Sequence, residues 1–234
     1  MSSSFHLIVF TGAGISAESG LSTFRGQGGL WEDQPIEEVA TPGAWQRDPE
    51  RVHSFYNRRR EQLQHVLPNA AHRYLADLQK QLSLEIITQN VDDLHERAGS
   101  RRVLHLHGEL TKVRCSRHED EVFDWGHQAL SRADKAPCGH LLRPHIVWFG
   151  EAVPAYERAL EKVQKADALL IIGSALQVYP AAGLVDEIGP ERPRAYLDPG
   201  DAFVGQRTAM HRIRKKATEG LNDVQDWLET IGAL

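Results

Sequence analysis

Residues 5–17 read FHLIVFTGAGISA, and this stretch decides the fold class. Its first half, Phe5 to Phe10, is a short apolar run that predicts a buried strand. Its second half, Gly12 to Ala17, matches the pattern G-x-G-x-x-[GA] directly after that strand. Glycines there permit a tight turn and let backbone N–H groups approach a pyrophosphate closely. Because a purely structural turn uses the same residues, the pattern alone is a weak indication of a dinucleotide site.

Outward from this stretch, short apolar runs alternate with amphipathic segments. Strands are expected at 84–88, 103–106, 168–172 and 194–197, with an extended segment at 146–149. Helices are expected at 49–67, 69–82, 155–166 and 221–234, and Asn69 is placed to cap the second of them. Strands separated by helices predict a parallel α/β sheet with helices on both faces.

Three of the predicted strands end in small or polar residues. These ends are Thr11-Gly12, Thr88-Gln89-Asn90 and Gly173-Ser174. Ligands of parallel α/β sheets bind at the carboxyl ends of the strands. We therefore expect the three ends to line one crevice.

Composition excludes several classes of protein. The 234 residues are 41% hydrophobic and 25% charged with a net charge of −5, so we expect one soluble domain without a nucleic-acid partner. No apolar stretch approaches the length of a membrane span, and no signal peptide is recognised, so we expect a cytoplasmic protein without a membrane partner. Basic clusters stand at Arg58 to Arg60 and at Arg212 to Lys216; the second is interpreted as solvated helix surface.

Five ordered motifs resemble those of the sirtuin family. They are GAGISAESG at 12–20 followed by Thr23-Phe24-Arg25, TQNVDDLH at 88–95, HLHGEL at 105–110, the segment 142–151, and the segment 173–181. Their order and spacing agree with the family from roughly residue 5 to residue 185. The resemblance implies one catalytic domain over 1–234, a Rossmann-type sheet with a small zinc-ribbon-like module inserted at 111–145, and NAD and an acyl-lysine entering the cleft between them.

The resemblance also assigns residues to NAD. The implied contacts are Gly12, Ala13, Gly14, Ser16, Thr23, Phe24, Arg25, Trp31, Gln89, Asn90, Asp92, Gly173, Ser174 and Ala175. Two positions depart from the family pattern: Ala175 replaces a serine that usually follows Gly-Thr, and Tyr196 replaces an asparagine that contacts the adenosine ribose. Ala175 removes one hydroxyl, so a loss of some affinity for NAD is expected there, and the contact at Tyr196 is expected to differ.

His107 falls on the position of the family's catalytic histidine. In the implied reaction the nicotinamide–ribose bond breaks, the acyl oxygen attacks the anomeric carbon, and a base activates a ribose hydroxyl. An imidazole suits that base because it titrates near neutral pH. The chain has 12 histidines, so motif position alone singles out His107, and His105 is its nearest rival.

Tyr56 and Arg59 lie three residues apart on a predicted helix and therefore share a face. With Ala40-Thr41-Pro42, they resemble the sirtuin subgroup that removes succinyl and malonyl groups. An arginine can bind a carboxylate through two parallel hydrogen bonds, and a tyrosine hydroxyl can add a third. Arg58 and Arg60 are expected to point elsewhere, into solvent.

The metal site of the family is incomplete in this chain. Cys115, His118 and Cys138 are candidate zinc ligands, while Lys135 stands where a fourth cysteine belongs. Structural zinc requires four ligands, and His140 or His127 could complete the set. The alternative, that Val122, Phe123 and Trp125 pack the module without zinc, stays open.

Three functions follow from these motifs. The first is an NAD-dependent lysine deacylase acting on succinylated, malonylated and also acetylated proteins or peptides. The second is a mono-ADP-ribosyltransferase, and the third is a non-catalytic sensor of NAD or acyl-lysine. An intact His107 beside a Tyr56/Arg59 pair favours the first.

Overall fold

The computed structural model describes residues 5–23, 34–200 and 210–234. Six strands form a parallel sheet: β1 His6–Thr11, β2 Ser83–Thr88, β3 Val103–His105, β7 Ala168–Ile172, β8 Arg194–Leu197 and β9 His211–Ile213. Their order in the sheet is β3-β2-β1-β7-β8-β9. The strand order reverses between β1 and β7, which places the ligand crevice of this fold at their carboxyl ends. The predicted parallel α/β fold is confirmed.

Helices cover both faces of this sheet. The helices are α1 Gly14–Ala17, α2 Ile36–Val39, α3 Pro42–Arg47, α4 Pro49–His65, α5 Ala70–Gln81, α6 Leu94–Arg97, α7 Tyr156–Gln164 and α8 Leu221–Thr230, with a 3₁₀ helix at Ala181–Asp186. α5 and α8 pack on one face, and α7 and the 3₁₀ helix pack on the other. None of the described helices is long and apolar enough to cross a membrane.

The sequence of β1 explains why both faces are covered. Leu7 and Val9 belong to the apolar cluster under α5 and α8, while Ile8 and Phe10 belong to the cluster under α7. Side chains alternate between the faces of a strand, so four consecutive apolar residues require cover on both sides. All four side chains are inaccessible to solvent.

Local capping sets where α4 and α5 begin. The Asp48 carboxylate accepts from the Arg51 N–H at the start of α4. The Asn69 side chain accepts from the N–H groups of Ala71 and His72, as the sequence predicts. Each cap satisfies backbone donors that a helix leaves unpaired at its N-terminus.

A second sheet lies between β3 and α7 in the sequence. It is antiparallel, has the order β5-β4-β6, and comprises β4 Gly108–Cys115, β5 Val122–Asp124 and β6 Leu142–Ile146. A small apolar cluster that includes Val113, Cys115 and Leu142 packs on it. The boundaries 111–145 for an inserted module, and 1–234 for one catalytic domain, stay predictions.

Three expectations about local structure were wrong. The segment 212–216 begins in strand β9 and is not helix surface, although Arg212 is exposed. The extended segment expected at 146–149 lies earlier, in β6. Arg60 is fully buried, because its Nε donates to the carbonyl oxygen of Leu110 and its Nη1 to Asn57. Arg58 is exposed, as expected.

Candidate active site

A cleft of about 390 Å³ opens at the carboxyl ends of β1, β2 and β7. It gathers most of the residues that the sequence motifs assign to NAD, to catalysis and to the acyl group. These are Gly12, Ala13, Gly14, Ser16, Thr23, Tyr56, Arg59, Gln89, Asn90, Asp92, His107, Gly173, Ser174 and Ala175. The other three predicted NAD contacts, Phe24, Arg25 and Trp31, lie outside the described residues.

The glycine turn after β1 packs directly on the end of β7. A Cβ on Gly14 would lie 2.6 Å from the Cα of Gly173, and one on Gly173 would lie 2.3 Å from the backbone nitrogen of Ile15. Gly173 also has a φ of +62°, in the left-handed region that favours glycine. These glycines therefore bring two backbone segments into contact at the point where the strand order reverses.

Polar side chains after β2 form one buried network with the turn. The amide of Asn90 donates to the carbonyl oxygen of Gly12 (3.1 Å) and to Ser16 Oγ (3.2 Å). Ser16 Oγ donates to Asp92 Oδ2 (3.0 Å), and the Leu94 N–H donates to Asp92 Oδ1 (3.1 Å). Burial raises the pKa of Asp92 to about 6, and these two hydrogen bonds oppose the rise. The network thus holds an amide and a carboxylate at the wall of the cleft.

His107 reaches the cleft with one ring nitrogen already engaged. Its Nδ1 lies 3.0 Å from the carbonyl oxygen of Gln89. A carbonyl oxygen can only accept, so Nδ1 carries the hydrogen and Nε2 keeps its lone pair. Burial lowers the pKa of His107, which favours this neutral form. The rival His105 is used elsewhere: its ring nitrogens contact the carbonyl oxygen of Asn90 and the Glu96 carboxylate, both at 2.9 Å.

Tyr56 and Arg59 of α4 line the same cleft as His107. The indole N–H of Trp148 donates to the Tyr56 hydroxyl oxygen (3.0 Å). Burial raises the pKa of the Tyr56 phenol, so the hydroxyl keeps its own hydrogen. The Arg59 guanidinium carbon lies 4.4 Å from the centroid of the Phe55 ring, which steadies its orientation.

Trp148 is itself fixed by an ion pair. The Arg143 guanidinium carbon lies 3.3 Å from the centroid of the indole, and Arg143 donates to both oxygens of Glu151 (2.6 and 3.0 Å). The backbone N–H of Trp148 donates to the same carboxylate (2.8 Å). This arrangement fixes the Trp148 indole, which in turn positions the Tyr56 hydroxyl.

The two departures from the family pattern lie on neighbouring strands: Ala175 follows β7 and lines the cleft, and Tyr196 belongs to β8. Tyr196 is buried, and its hydroxyl donates to the carbonyl oxygen of Ser174 (2.9 Å), so it braces the wall. Gln89 donates to Ser174 Oγ (2.7 Å). Asp198, two residues beyond Tyr196, lines the cleft although the sequence analysis did not assign it a role. Its position directly after β8 is the signal that could have indicated it.

The predicted metal ligands lie together, away from the cleft. The Cys115 Sγ is 3.4 Å from Cys138 Sγ and 3.8 Å from His118 Nδ1. Among the described residues, one group of possible metal ligands has all its donor atoms within 4.8 Å of one another, and it adds Glu121 to these three. Neither of the expected fourth ligands belongs to this group, and His127 contacts Asp93 instead (3.3 Å).

The reversal of strand order, the glycine turn beside it and the polar groups in the cleft define a dinucleotide-binding α/β protein. The sequence profile of the Sir2 family matches residues 12–180, and the chain belongs to that family. The sirtuin membership expected from the motifs is therefore confirmed.

Relatives and solved structures agree with this assignment. The chain is 50% identical to an NAD-dependent protein deacylase of Bacteroides thetaiotaomicron over 229 residues, covering 95% of this chain and 97% of the relative. It is 52% identical to an NAD-dependent protein deacylase of Helicobacter pylori (strain 26695) over 219 residues, covering 94% and 95%. A Sir2 homologue solved as an NAD complex superimposes with a TM-score of 0.86 at 38% identity, covering 98% of this chain and 91% of the other. A Sir2 protein solved with a p53 peptide and NAD⁺ superimposes with a TM-score of 0.77 at 28% identity, covering 99% of this chain and 95% of the other.

Proposed function

We propose that this protein is an NAD-dependent protein-lysine deacylase that removes succinyl and malonyl groups, and also acetyl groups, yielding nicotinamide and O-acyl-ADP-ribose. The names of the relatives support the coarser activity. One observation supports the preference for succinyl and malonyl groups: Tyr56 and Arg59 line the same cleft as His107 and the glycine turn. The proposal includes a cytoplasmic location.

NAD is the co-substrate in this proposal, and it supplies the ADP-ribosyl group that receives the acyl group. The glycine turn would hold the pyrophosphate at close range, because its glycines put no side chain between backbone and ligand; the N–H groups of Gly12 and Gly14 themselves donate to the carbonyl oxygens of Ile172 and Gly173. Asn90 and Asp92 would hold the nicotinamide carboxamide, since the buried network fixes both side chains at the wall of the cleft. Phe24, Arg25 and Trp31 complete the proposed NAD contacts from sequence position alone.

His107 is the proposed general base. The Gln89 carbonyl oxygen fixes the tautomer that leaves Nε2 able to accept the proton of a ribose hydroxyl. A lowered pKa keeps the imidazole unprotonated at neutral pH, when it has to accept that proton. His105 has no place in this step because both of its ring nitrogens are engaged.

The acidic acyl group is recognised by charge and by hydrogen bonds. Its distal carboxylate accepts from the Arg59 guanidinium and from the Tyr56 hydroxyl, whose hydrogen is left for this contact by the Trp148 donor. The rest of the substrate is an extended peptide, because the segments 147–151 and 174–179 both line the cleft. Main-chain recognition of this kind predicts broad tolerance of target sequences.

Product analysis tests the activity. An acyl-lysine peptide is incubated with the enzyme and NAD, and the expected result is equal formation of free nicotinamide, deacylated peptide and O-acyl-ADP-ribose. Transfer of ADP-ribose to protein with the acyl group left in place would instead identify an ADP-ribosyltransferase. His107→Ala is expected to keep NAD binding and to lose turnover by about 100-fold or more. Wild-type binding without any turnover would identify a sensor.

A further inference from the structure

Arg60 is a buried cation of α4 whose hydrogen-bond partners are all neutral. Its side chain is inaccessible to solvent. Its Nε donates to the carbonyl oxygen of Leu110 (2.7 Å), and its Nη1 donates to the amide oxygen of Asn57 (3.1 Å). Its Nη2 is shielded from solvent and has no hydrogen-bond partner among the described residues. The guanidinium therefore keeps one unused donor and a positive charge inside the protein.

The other buried arginines in the described part of the chain have a carboxylate partner. Arg114 and Arg143 both pair with Glu151, at 3.3 and 2.6 Å. Burying a guanidinium is costly, and a carboxylate beside it usually compensates for the lost hydration. Burial lowers the pKa of Arg60 to about 10, so this side chain still carries its charge at neutral pH. Among the described residues, no acidic side chain lies within ion-pair distance of Arg60.

This charge lies beside the part of the cleft that is proposed to hold the acyl group. Arg60 follows Tyr56 by four residues on α4, and side chains at that spacing are neighbours, with Cβ atoms about 5–6 Å apart. The Tyr56 phenol also acts electrostatically on the pKa of Arg60, which agrees with a short distance. Tyr56 and Leu110 line the cleft, whereas Arg60 lies behind them. Arg60 can therefore influence a ligand through space but not by direct contact.

A purely structural role for Arg60 does not explain its charge. Arg60 ties α4 to β4 through Leu110, and Asn57 in turn holds the backbone of Leu130 through two hydrogen bonds (2.8 and 2.9 Å). A neutral amide side chain also carries two N–H donors and could serve carbonyl acceptors of this kind. A carboxylate that enters the cleft would, in contrast, supply the negative charge that the protein itself does not place there.

We propose that Arg60 is a further specificity-determining residue for acidic acyl groups, because its buried charge attracts the distal carboxylate through space. The inference rests on the proposed deacylase function, in which Arg59 and Tyr56 contact that carboxylate directly. Opposite charges within about 10 Å of each other interact strongly enough in a protein site to change an affinity roughly tenfold. Salt screens a buried charge much less than an exposed one.

Steady-state kinetics with three peptides test this inference: a succinyl-lysine peptide, its neutral carboxamide analogue and the acetyl-lysine peptide. Arg60→Gln is expected to raise KM for the succinyl peptide roughly tenfold, and to leave kcat and the KM of both neutral peptides within about twofold. Arg60→Lys keeps the charge and should keep KM for the succinyl peptide within about threefold of the wild type. Arg58→Gln, an exposed arginine of the same helix, is the matched control and should behave as the wild type does.

Two results would show that Arg60 only supports α4 and would overturn the inference. One is an equal rise of KM for all three peptides in Arg60→Gln, and the other is an equal effect of Arg60→Gln and Arg60→Lys. If neither variant folds, Arg59→Met decides, because Arg60 remains charged in it. That variant should still prefer the succinyl peptide to its carboxamide analogue at about 0.5 M salt, and equal KM values would overturn the inference.

Failure of the proposed function would look different. A wild type that turns over none of the peptides would contradict the deacylase activity, and equilibrium binding of the same peptides in the presence of NAD would then test Arg60. A wild type that binds the succinyl peptide and its carboxamide analogue equally would overturn both the acyl preference and this inference. A wild-type preference for the succinyl peptide that Arg60→Gln leaves unchanged would overturn this inference alone.

Discussion

At the scale of single residues, Tyr56 carries part of the proposed recognition of the acyl group. Its hydroxyl oxygen accepts from the Trp148 indole, so the hydroxyl keeps a hydrogen that it can donate to a ligand. Arg59, one helical turn further along α4, lines the same cleft. The proposed direct contacts to the acyl carboxylate therefore come from two side chains of one helix.

Tyr56→Phe is expected to lower kcat/KM for a succinyl-lysine peptide by about 10- to 100-fold. The reason is the loss of a hydrogen bond to a charged group, which contributes about 1.5–3 kcal/mol. The acetyl-lysine peptide is the internal control, because it has no distal carboxylate and its rate should change only a few-fold. An equal loss for both peptides would show that Tyr56 acts only by supporting Trp148.

Most candidate residues of the cleft could be predicted from sequence because their motifs follow strands that end side by side. The burial of Arg60 could not, because it depends on the carbonyl oxygen of Leu110, fifty residues away in the sequence. The proximity of Glu121 to the three predicted metal ligands was missed for a similar reason, because it depends on contacts between separate loops.

At the scale of elements, hydrophobic pattern and capping predicted β1, β2, β7 and α5 closely. Strands β5 and β9 were missed because their side chains are largely exposed and leave no apolar run. Strand β4 was missed because its register shifts between Gly108 and Val113, which breaks the alternation expected of a strand. Sequence periodicity therefore identifies central strands better than the edges and bulges around them.

The contact between the glycine turn and the end of β7 gives the prediction at this scale. Gly173→Ala is expected to lower the melting temperature by about 4 °C or more and to weaken NAD binding at least tenfold. A left-handed conformation costs a non-glycine residue about 1–2 kcal/mol, and 1 kcal/mol corresponds to about 2–4 °C in a chain of this size. The added Cβ would also collide with backbone atoms of Gly14 and Ile15, which have little freedom to move.

Gly126→Ala separates the cost of the left-handed conformation from the cost of the steric collision. Gly126 has the same φ of +62°, but a Cβ there would meet no atom within 4 Å. Its variant should therefore show the conformational cost alone and should bind NAD as the wild type does. If the two variants lost NAD affinity equally, close packing at the end of β7 would not be the reason.

At the scale of the whole molecule, buried neutral histidines couple stability to pH. Burial lowers the pKa of His72 to about 4, and it lowers the pKa of His95 well below the ordinary value of 6.5. In the unfolded chain both imidazoles take up protons below pH 6.5 or so, whereas in the folded protein they do not. The unfolded state then binds more protons, so stability is lost as pH falls from 6.5 toward 4.

Asp92 acts in the opposite direction over the same range. Its pKa of about 6 in the folded protein lies above the unfolded value, so stability is gained as pH falls from about 6 to about 4. The change from 6.5 to about 4 at His72 corresponds to roughly 3 kcal/mol, at 1.36 kcal/mol per pH unit. The two histidines together contribute more to the pH dependence than Asp92 does. The folded protein is therefore expected to lose stability as pH falls.

We expect the free energy of unfolding, measured with urea, to fall by roughly 3 kcal/mol between pH 7 and pH 4.5. His72→Gln should remove most of the pH dependence that His72 contributes, so the free energy of unfolding should fall less between pH 7 and pH 4.5. His65→Gln, an exposed histidine on α4, is the matched control and should reproduce the wild-type curve. A flat wild-type profile over this range would contradict the assignment of buried, neutral imidazoles.

The central claim is that an NAD-dependent cleft recognises acidic acyl groups through Arg59. Its most direct test is mass spectrometry of one lysine peptide in acetyl, succinyl and malonyl forms, with and without NAD. The enzymes compared are the wild type, Arg59→Met, and Arg58→Met as the exposed control on the same helix. We predict NAD-dependent loss of the acidic groups by the wild type and by Arg58→Met, and at least a tenfold slower loss by Arg59→Met with acetyl removal unchanged. Removal of acetyl alone by the wild type, or an equal decrease for all three peptides in Arg59→Met, would contradict the claim.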